Sequence, residues 1–144
     1  PSLTCAAKQK AIDVQKDRQP MPGVPETLAE LQARNIRLAV LSDTEGGEPA
    51  VRGILQQLGV EPYFRSVIAS SDIGFAKPAP EAYQHAVKSL DLEQNECAFI
   101  AHDVDELTGA QDVGLFAIAY NDTPSAPRDA TVQHFSELLQ FASE

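Results

Sequence analysis

Lys77 stands in the segment DIGFAKPAPEAY, residues 72–83, where a Lys-Pro-x-Pro sequence leads into a predicted helix. Pro78 favours an extended or turn geometry for the residue before it, which keeps the lysine side chain off a helix face. The chain carries 21 acidic and 11 basic residues and has a formal charge of −10. A cation at a strand-to-helix junction of so acidic a chain indicates an anion site, with an ordinary surface lysine as the alternative.

A second candidate cluster lies at the end of the apolar run IRLAVLS, residues 36–42. The run ends in the hydroxyl residue Ser42, and the carboxyl residue Asp43 follows it. A serine hydroxyl beside backbone N–H groups can hold a phosphate or carboxylate oxygen at such a strand end. Ser42 and Asp43 are therefore candidates for anion binding together with Lys77. A serine that caps the following helix is the alternative interpretation.

A dense acidic cluster lies at the end of a second apolar run, CAFIAH at residues 97–102. It comprises His102, the last residue of the run, and the following residues Asp103, Asp105 and Glu106. Oxygen ligands at this density suit a hard cation such as Mg²⁺. The alternative is an acidic first turn of a helix, which the helix macrodipole favours.

The elements that must position these residues alternate regularly between apolar runs and helical patterns, which is typical of an α/β fold with a mostly parallel sheet. In such sheets, ligands gather at the carboxyl ends of the strands, where all three clusters lie. The predicted strands are residues 36–42, 66–70, 97–102 and 115–120, and the predicted helices begin near Pro25, before Val51, at Pro80, at Glu106 and at Phe135.

The composition indicates one globular domain that folds in water. The chain has 144 residues, of which 43% are hydrophobic, and contains no apolar run long enough to span a membrane. The acidic balance opposes binding to nucleic acid, because no basic stripe is available to release counterions. Cys5 and Cys97 form no paired motif, which favours two reduced thiols and a cytoplasmic location.

Three stretches in this order resemble the haloacid dehalogenase (HAD) superfamily, most closely its phosphoglycolate-phosphatase-like and haloacid-dehalogenase-like members. They are MPGVPETLAELQARNIRLAVLSDT, GFAKPAPEAYQHAVKSLDL and AFIAHDVDELTGAQDVGLFAIAYN, and the resemblance covers roughly residues 20–141. It implies a three-layer, Rossmann-like core with a mostly parallel sheet. It also implies hydrolase activity of the phosphoric monoester type on a small phosphorylated or otherwise anionic substrate.

The resemblance also implies roles for individual residues. Ser42 would contact the transferred group, Lys77 would balance charge on the nucleophile and the phosphate, and Asp43 would join them in binding phosphate. Asp103 and Glu106 would bind Mg²⁺, although the gapless register puts His102 at the position of the family's aspartate. In the family's mechanism, an aspartate attacks the substrate to form a covalent intermediate, which is then hydrolysed.

The family's nucleophile motif, an apolar strand that ends in Asp-x-Asp, is absent upstream of residue 20, where the acidic residues are Asp13 and Asp17. We therefore expect residues 21–144 to form a core domain without the first family strand and without a complete cap, and residues 1–20 to be a helical remnant of that cap. Either the neighbouring strands close up, or another segment or a second copy of the chain fills the central position, because an unpaired central edge is costly.

Three functions fit these observations. The first is a phosphatase-like hydrolase core that is incomplete or inactive as an isolated chain. The second is a non-catalytic domain that binds an anion or another protein. The third is a fragment of a 2-haloacid dehalogenase, which would share the missing nucleophile but would need no Mg²⁺.

Overall fold

The chain forms a six-stranded parallel sheet, as seen in a computed structural model that describes residues 6–8, 22–121 and 127–142. The strands are β1 Ala6–Lys8, β2 Ala39–Ser42, β3 Ser66–Ala69, β4 Ala98–Ala101, β5 Phe116–Tyr120 and β6 Ala130–Val132. Their order is β3-β2-β1-β4-β5-β6, and every neighbouring pair is parallel. The predicted α/β class with a mostly parallel sheet is confirmed.

Helices cover both faces of this sheet. They are α1 Val24–Ala33, α2 Gly47–Gln57, α3 Ser70–Ile73, α4 Pro80–Ser89 and α5 Val104–Asp112, with short 3-10 helices at Glu61–Tyr63, Gln94–Glu96 and Phe135–Phe141. Across the described residues, no helix combines the length and the apolar character that crossing a membrane requires.

Two hydrophobic cores lie on opposite faces of the sheet. On one face, α1, α2 and the segment Phe135–Phe141 pack against the sheet through buried side chains such as Leu28, Leu55 and Phe135. On the other face, α4 and α5 pack through Tyr83, Val87 and Leu107, among others. Each fully buried Leu, Val or Phe contributes about 1.5–3 kcal/mol of transfer free energy, so the two cores together fix the three-layer arrangement.

The central position of the sheet is occupied by β1, which pairs with β2 on one side and with β4 on the other. Ala6 lies opposite Ala39 and Phe99, and Lys8 lies opposite Leu41. The sheet therefore has a strand where we expected the first family strand to be missing. Of the two expected outcomes, another segment fills the position, and this segment comes from the chain itself.

Residues 6–8 lie upstream of the domain boundary predicted at residue 21, yet they belong to the same sheet as β2 and β4. We predicted a helical cap remnant for residues 1–20, and these three residues form a strand instead. The rest of that prediction, at residues 1–5 and 9–20, lies outside the described residues.

The carboxyl-terminal elements differ from the prediction in two ways. β6 was not predicted, and it joins the sheet at its edge beside β5. The predicted last helix is a 3-10 helix. Its buried residues Phe135 and Leu138 are three positions apart, and three positions further Phe141 packs partly against the same core. This spacing matches the three residues per turn of a 3-10 helix.

Because β1 is hydrogen-bonded on both sides, proline is expected to be tolerated far less there than at the edge. The variant Ala7→Pro removes a ladder hydrogen bond in the middle of the sheet and should lose about 3 kcal/mol or more of unfolding free energy. The matched control is Ala130→Pro at the first residue of the edge strand β6, which should lose much less. Thermal unfolding followed by circular dichroism measures both variants, and equal losses would contradict the central role of β1.

Candidate active site

The three candidate clusters meet at the carboxyl edge of the sheet. Ser42 is the last residue of β2, and His102 follows the last residue of β4. β1 lies between these two strands. Lys77 reaches the same edge from the loop between α3 and α4. The strand order reverses around β1, and such a switch point is where open α/β sheets bind ligands.

Lys77 is an internal cation with oxygen partners inside the chain. Its side chain is 2% exposed, and its Nζ pairs with Glu106 Oε1 at 3.2 Å. Nζ also donates a hydrogen bond to the Leu41 carbonyl oxygen at 2.8 Å and lies 5.8 Å from the centre of the Phe99 ring. The alternative of a surface lysine is therefore wrong. An anion does neutralise Lys77, and within the described chain it is the Glu106 carboxylate.

The backbone of Lys77 is held as well as its side chain. Its N–H donates a hydrogen bond to Asp43 Oδ1 at 3.1 Å, and its peptide bond to Pro78 is cis. Asp43 is exposed, so its carboxylate contacts the loop between α3 and α4, called the lysine loop below, from the solvent side. The structure thus brings Asp43, Lys77 and Glu106 together at one point of the carboxyl edge.

Ser42 is completely buried at the end of β2. The alternative that it caps the following helix is wrong, because α2 begins at Gly47 and Gly46 occupies the N-cap position. Its backbone pairs with Ala69 of β3. The predicted role of Ser42 in contacting a transferred group stays a prediction.

The beginning of α2 is held by Asp72, a residue that the sequence reasoning missed. The Glu48 N–H donates a hydrogen bond to Asp72 Oδ2 at 2.8 Å. Gly47 has a φ of 75°, and a Cβ atom there would lie 3.1 Å from Asp72 Oδ1. The carboxylate thus partners the first turn of α2. The signal in the sequence was the Gly46-Gly47 pair at the start of the helix, which permits a close approach.

The acidic cluster after β4 divides into two environments. Glu106 is half-buried and faces Lys77, whereas Asp105 is exposed. Asp103 is half-buried at the N-cap of α5, and its carbonyl accepts the Leu107 N–H at 3.0 Å. An acidic first turn of a helix, the alternative interpretation, therefore accounts for Asp105, and ion pairing with Lys77 accounts for Glu106.

The described residues do not fit the predicted Mg²⁺ ion. Within that part of the chain, no three His, Cys, Asp or Glu side chains are grouped so that they could hold a metal. Of the predicted ligands Asp103 and Glu106, the second pairs with Lys77. His102 would offer neutral imidazole, which is a poor ligand for Mg²⁺.

Comparison with known proteins shows the family to which the chain belongs. A sequence model of haloacid dehalogenase-like hydrolases matches residues 4–114 of the chain. The chain belongs to this haloacid dehalogenase-like hydrolase family. We expected the resemblance to start at about residue 20. The match begins further upstream, at residue 4, and therefore includes β1.

Both phosphatases and dehalogenases of this family are similar to the chain. Glyceraldehyde 3-phosphate phosphatase of Methanocaldococcus jannaschii is 29% identical over 133 residues, which cover 85% of this chain and 56% of that protein. (S)-2-haloacid dehalogenase 2 of Pseudomonas sp. strain CBS-3 is 26% identical over 97 residues, which cover 67% of this chain and 42% of the relative.

Solved structures of the family have the same fold. The crystal structure of a dehalogenase with an intermediate complex superposes with a TM-score of 0.79 at 26% identity, covering 88% of this chain and 57% of that one. A HAD phosphatase from Thermococcus onnurineus superposes with a TM-score of 0.76 at 24% identity, covering 84% of this chain and 57% of that one. The chain thus spans about half the length of these relatives.

Removing the charge of Glu106 should destabilise the protein, because it leaves a buried ammonium without its carboxylate. We expect Glu106→Gln to lower the free energy of unfolding by about 3 kcal/mol. The matched control is Asp105→Asn, one residue earlier and exposed, which should change it by less than about 0.5 kcal/mol.

Urea unfolding measures both variants and the double variant Lys77→Met with Glu106→Gln. The double variant should recover part of the loss, since no buried charge is then left alone. Equal effects of the two single acidic variants, or strict additivity of the changes at 77 and 106, would contradict an ion pair of this strength.

Proposed function

We propose that this chain is a phosphatase-like hydrolase core that binds a small phosphorylated anion beside Lys77 and does not turn it over as an isolated chain. The observation that carries the proposal is the buried Lys77 ammonium, fixed between the Leu41 carbonyl and the Glu106 carboxylate next to the central strand. A cation fixed in advance stabilises an anionic group without reorganisation during binding or reaction.

The charges around Lys77 limit how tightly an anion can bind. Glu106 already offsets the positive charge of the ammonium group, and Asp43 and Asp103 add negative charge at the same edge. Backbone N–H groups at the ends of the strands have to supply the remaining attraction. We therefore expect a dissociation constant for inorganic phosphate on the order of 1 mM, equivalent to about 4 kcal/mol.

The absence of turnover follows from the sequence around β1. The family's reaction, as the resemblance implies it, needs an aspartate at the end of the strand that lies between β2 and β4. Here that strand is Ala6–Lys8. Gln9 and Lys10 follow it, and the next acidic residue in the sequence is Asp13. The sequence directly after Ala6–Lys8 therefore offers no carboxylate nucleophile.

Dehalogenation of a small 2-halo acid is the second candidate function. Unlike the phosphatase reaction that the resemblance implies, this reaction needs no Mg²⁺. It is also the reaction that the name of the Pseudomonas relative gives. The lysine would then face a substrate carboxylate in place of a phosphate, and the missing nucleophile would limit this reaction equally.

Binding and turnover are tested separately. Phosphate titration by isothermal calorimetry should give millimolar binding that Lys77→Met abolishes, whereas the control Lys88→Met, an exposed lysine of α4, should leave it unchanged. Equal binding by Lys77→Met and the parent chain would overturn the assignment of Lys77.

Turnover is measured with p-nitrophenyl phosphate, with and without Mg²⁺, and as chloride release from (S)-2-chloropropionate. The parent chain should show none, and the variant Gln9→Asp tests whether a carboxylate directly after β1 restores it. Phosphatase or dehalogenase activity in the parent chain that Lys77→Met abolishes would overturn the claim that the chain lacks a nucleophile and would identify the reaction.

A further inference from the structure

Tyr83 makes a buried hydrogen bond to the same residue that neutralises Lys77. Its side chain is completely buried on α4, and its hydroxyl donates to the Glu106 carbonyl oxygen at 2.7 Å. Its ring packs edge-on against Phe99 at 5.2 Å between ring centres, and Phe99 in turn lies beneath Lys77. The hydroxyl therefore joins α4 to the first turn of α5, directly beside the ion pair.

Glu106 is consequently held at two points by one short segment of chain. Lys77, at the start of that segment, contacts its carboxylate, and Tyr83, six residues later, contacts its backbone carbonyl. These two contacts form a closed set, here called the ring of contacts, that joins the lysine loop, the first turn of α4 and Glu106. A shift of α5 along α4 would break both contacts, so the position of the backbone determines the position of the carboxylate.

Gly109 allows α5 to approach this segment closely. A Cβ atom at Gly109 would lie 2.8 Å from the Tyr83 hydroxyl, 2.8 Å from Pro78 Cβ and 3.0 Å from the Pro78 carbonyl oxygen. The two distances of 2.8 Å are shorter than real Cβ atoms show, and the distance of 3.0 Å is tighter than most. Gly109 lies one helical turn after Glu106 and is itself buried. Glycine weakens a helix interior, so its presence here is explained by the close contact.

We propose that Tyr83 is a positioning residue that holds the Glu106 carboxylate against Lys77 through the Glu106 backbone carbonyl, in a contact that the glycine at 109 makes possible. This role goes beyond the proposed function and does not depend on whether the chain turns over a substrate. It assigns Tyr83 a task that packing alone would not require.

The chemistry of the phenol suits this task. Burial raises the pKa of Tyr83, and the nearby carboxylates of Glu106 and Asp43 raise it further. The hydroxyl therefore keeps its proton and its capacity to donate throughout the neutral and mildly alkaline range.

The test compares Tyr83→Phe with Tyr120→Phe. Tyr120 is also buried and also packs edge-on against a phenylalanine, Phe135 at 5.8 Å, but it lies in the core on the opposite face of the sheet. The measurement is the solvent exchange rate of the Lys77 ammonium protons by ¹⁵N NMR, with the signal assigned through its loss in Lys77→Met.

We expect Tyr83→Phe to raise this exchange rate by about threefold to tenfold, the range that loss of one net hydrogen bond implies. Tyr120→Phe should leave the exchange rate unchanged. Urea unfolding should show that both variants lose a similar amount of unfolding free energy. No change in Tyr83→Phe, or an equal change in both variants, would overturn the proposal, because a purely structural tyrosine predicts that result.

Gly109→Ala provides a second and independent variant, which retains the tyrosine and pushes its hydroxyl away. It should raise the exchange rate of the Lys77 protons as Tyr83→Phe does, and adding Tyr83→Phe to it should change the rate little further. Additive effects of the two changes would show that they act separately and would overturn the ring of contacts. If Tyr83→Phe does not fold, Gly109→Ala alone decides: an unchanged exchange rate overturns the proposal.

Discussion

The buried ammonium group of Lys77 is the constraint on which the rest of the carboxyl edge depends. A charge removed from water must be met by oxygens at close range, or the folded state loses several kcal/mol. Those oxygens come from β2, through the Leu41 carbonyl, and from α5, through Glu106. One side chain therefore ties the sheet to a helix that begins more than twenty residues later in the sequence.

Other features of the edge serve the same geometry. Asp43 holds the backbone of the lysine loop, and Phe99 provides an aromatic surface beneath the ammonium group. The close approach of α5 at Gly109 brings Glu106 within reach. Each contact is modest by itself, and together they hold both the backbone and the side chain of Lys77 at the carboxyl edge.

Much of the architecture follows from the sequence because its signals are local. The runs at residues 36–42 and 97–102 are rich in Ile, Leu, Val and Phe, and they form β2 and β4. Pro80 begins α4, as predicted. Periodicity and helix-start signals operate within one or two turns, so one sequence is sufficient to detect them.

The missed features depend on contacts that are distant in sequence. β1 consists of Ala, Ala and Lys, residues with little preference for strands, and it is a strand because two neighbours pair with it. The partner of Lys77 was missed for a similar reason. The acidic cluster containing Glu106 suggested a metal site, and only the packing of α5 against α4 turns this one carboxylate toward the lysine.

The short central strand also determines the order in which the chain can fold during its synthesis. Ala6 pairs with Phe99, a residue made more than ninety positions later. At about 5–20 residues per second, the ribosome needs on the order of ten seconds to supply that partner. Until then, β2 can pair with β1 and β3, but the other side of β1 is an open edge. The central pairing of the sheet can therefore form only after β4 has been made, and long-range parallel pairing of this kind is slow to form.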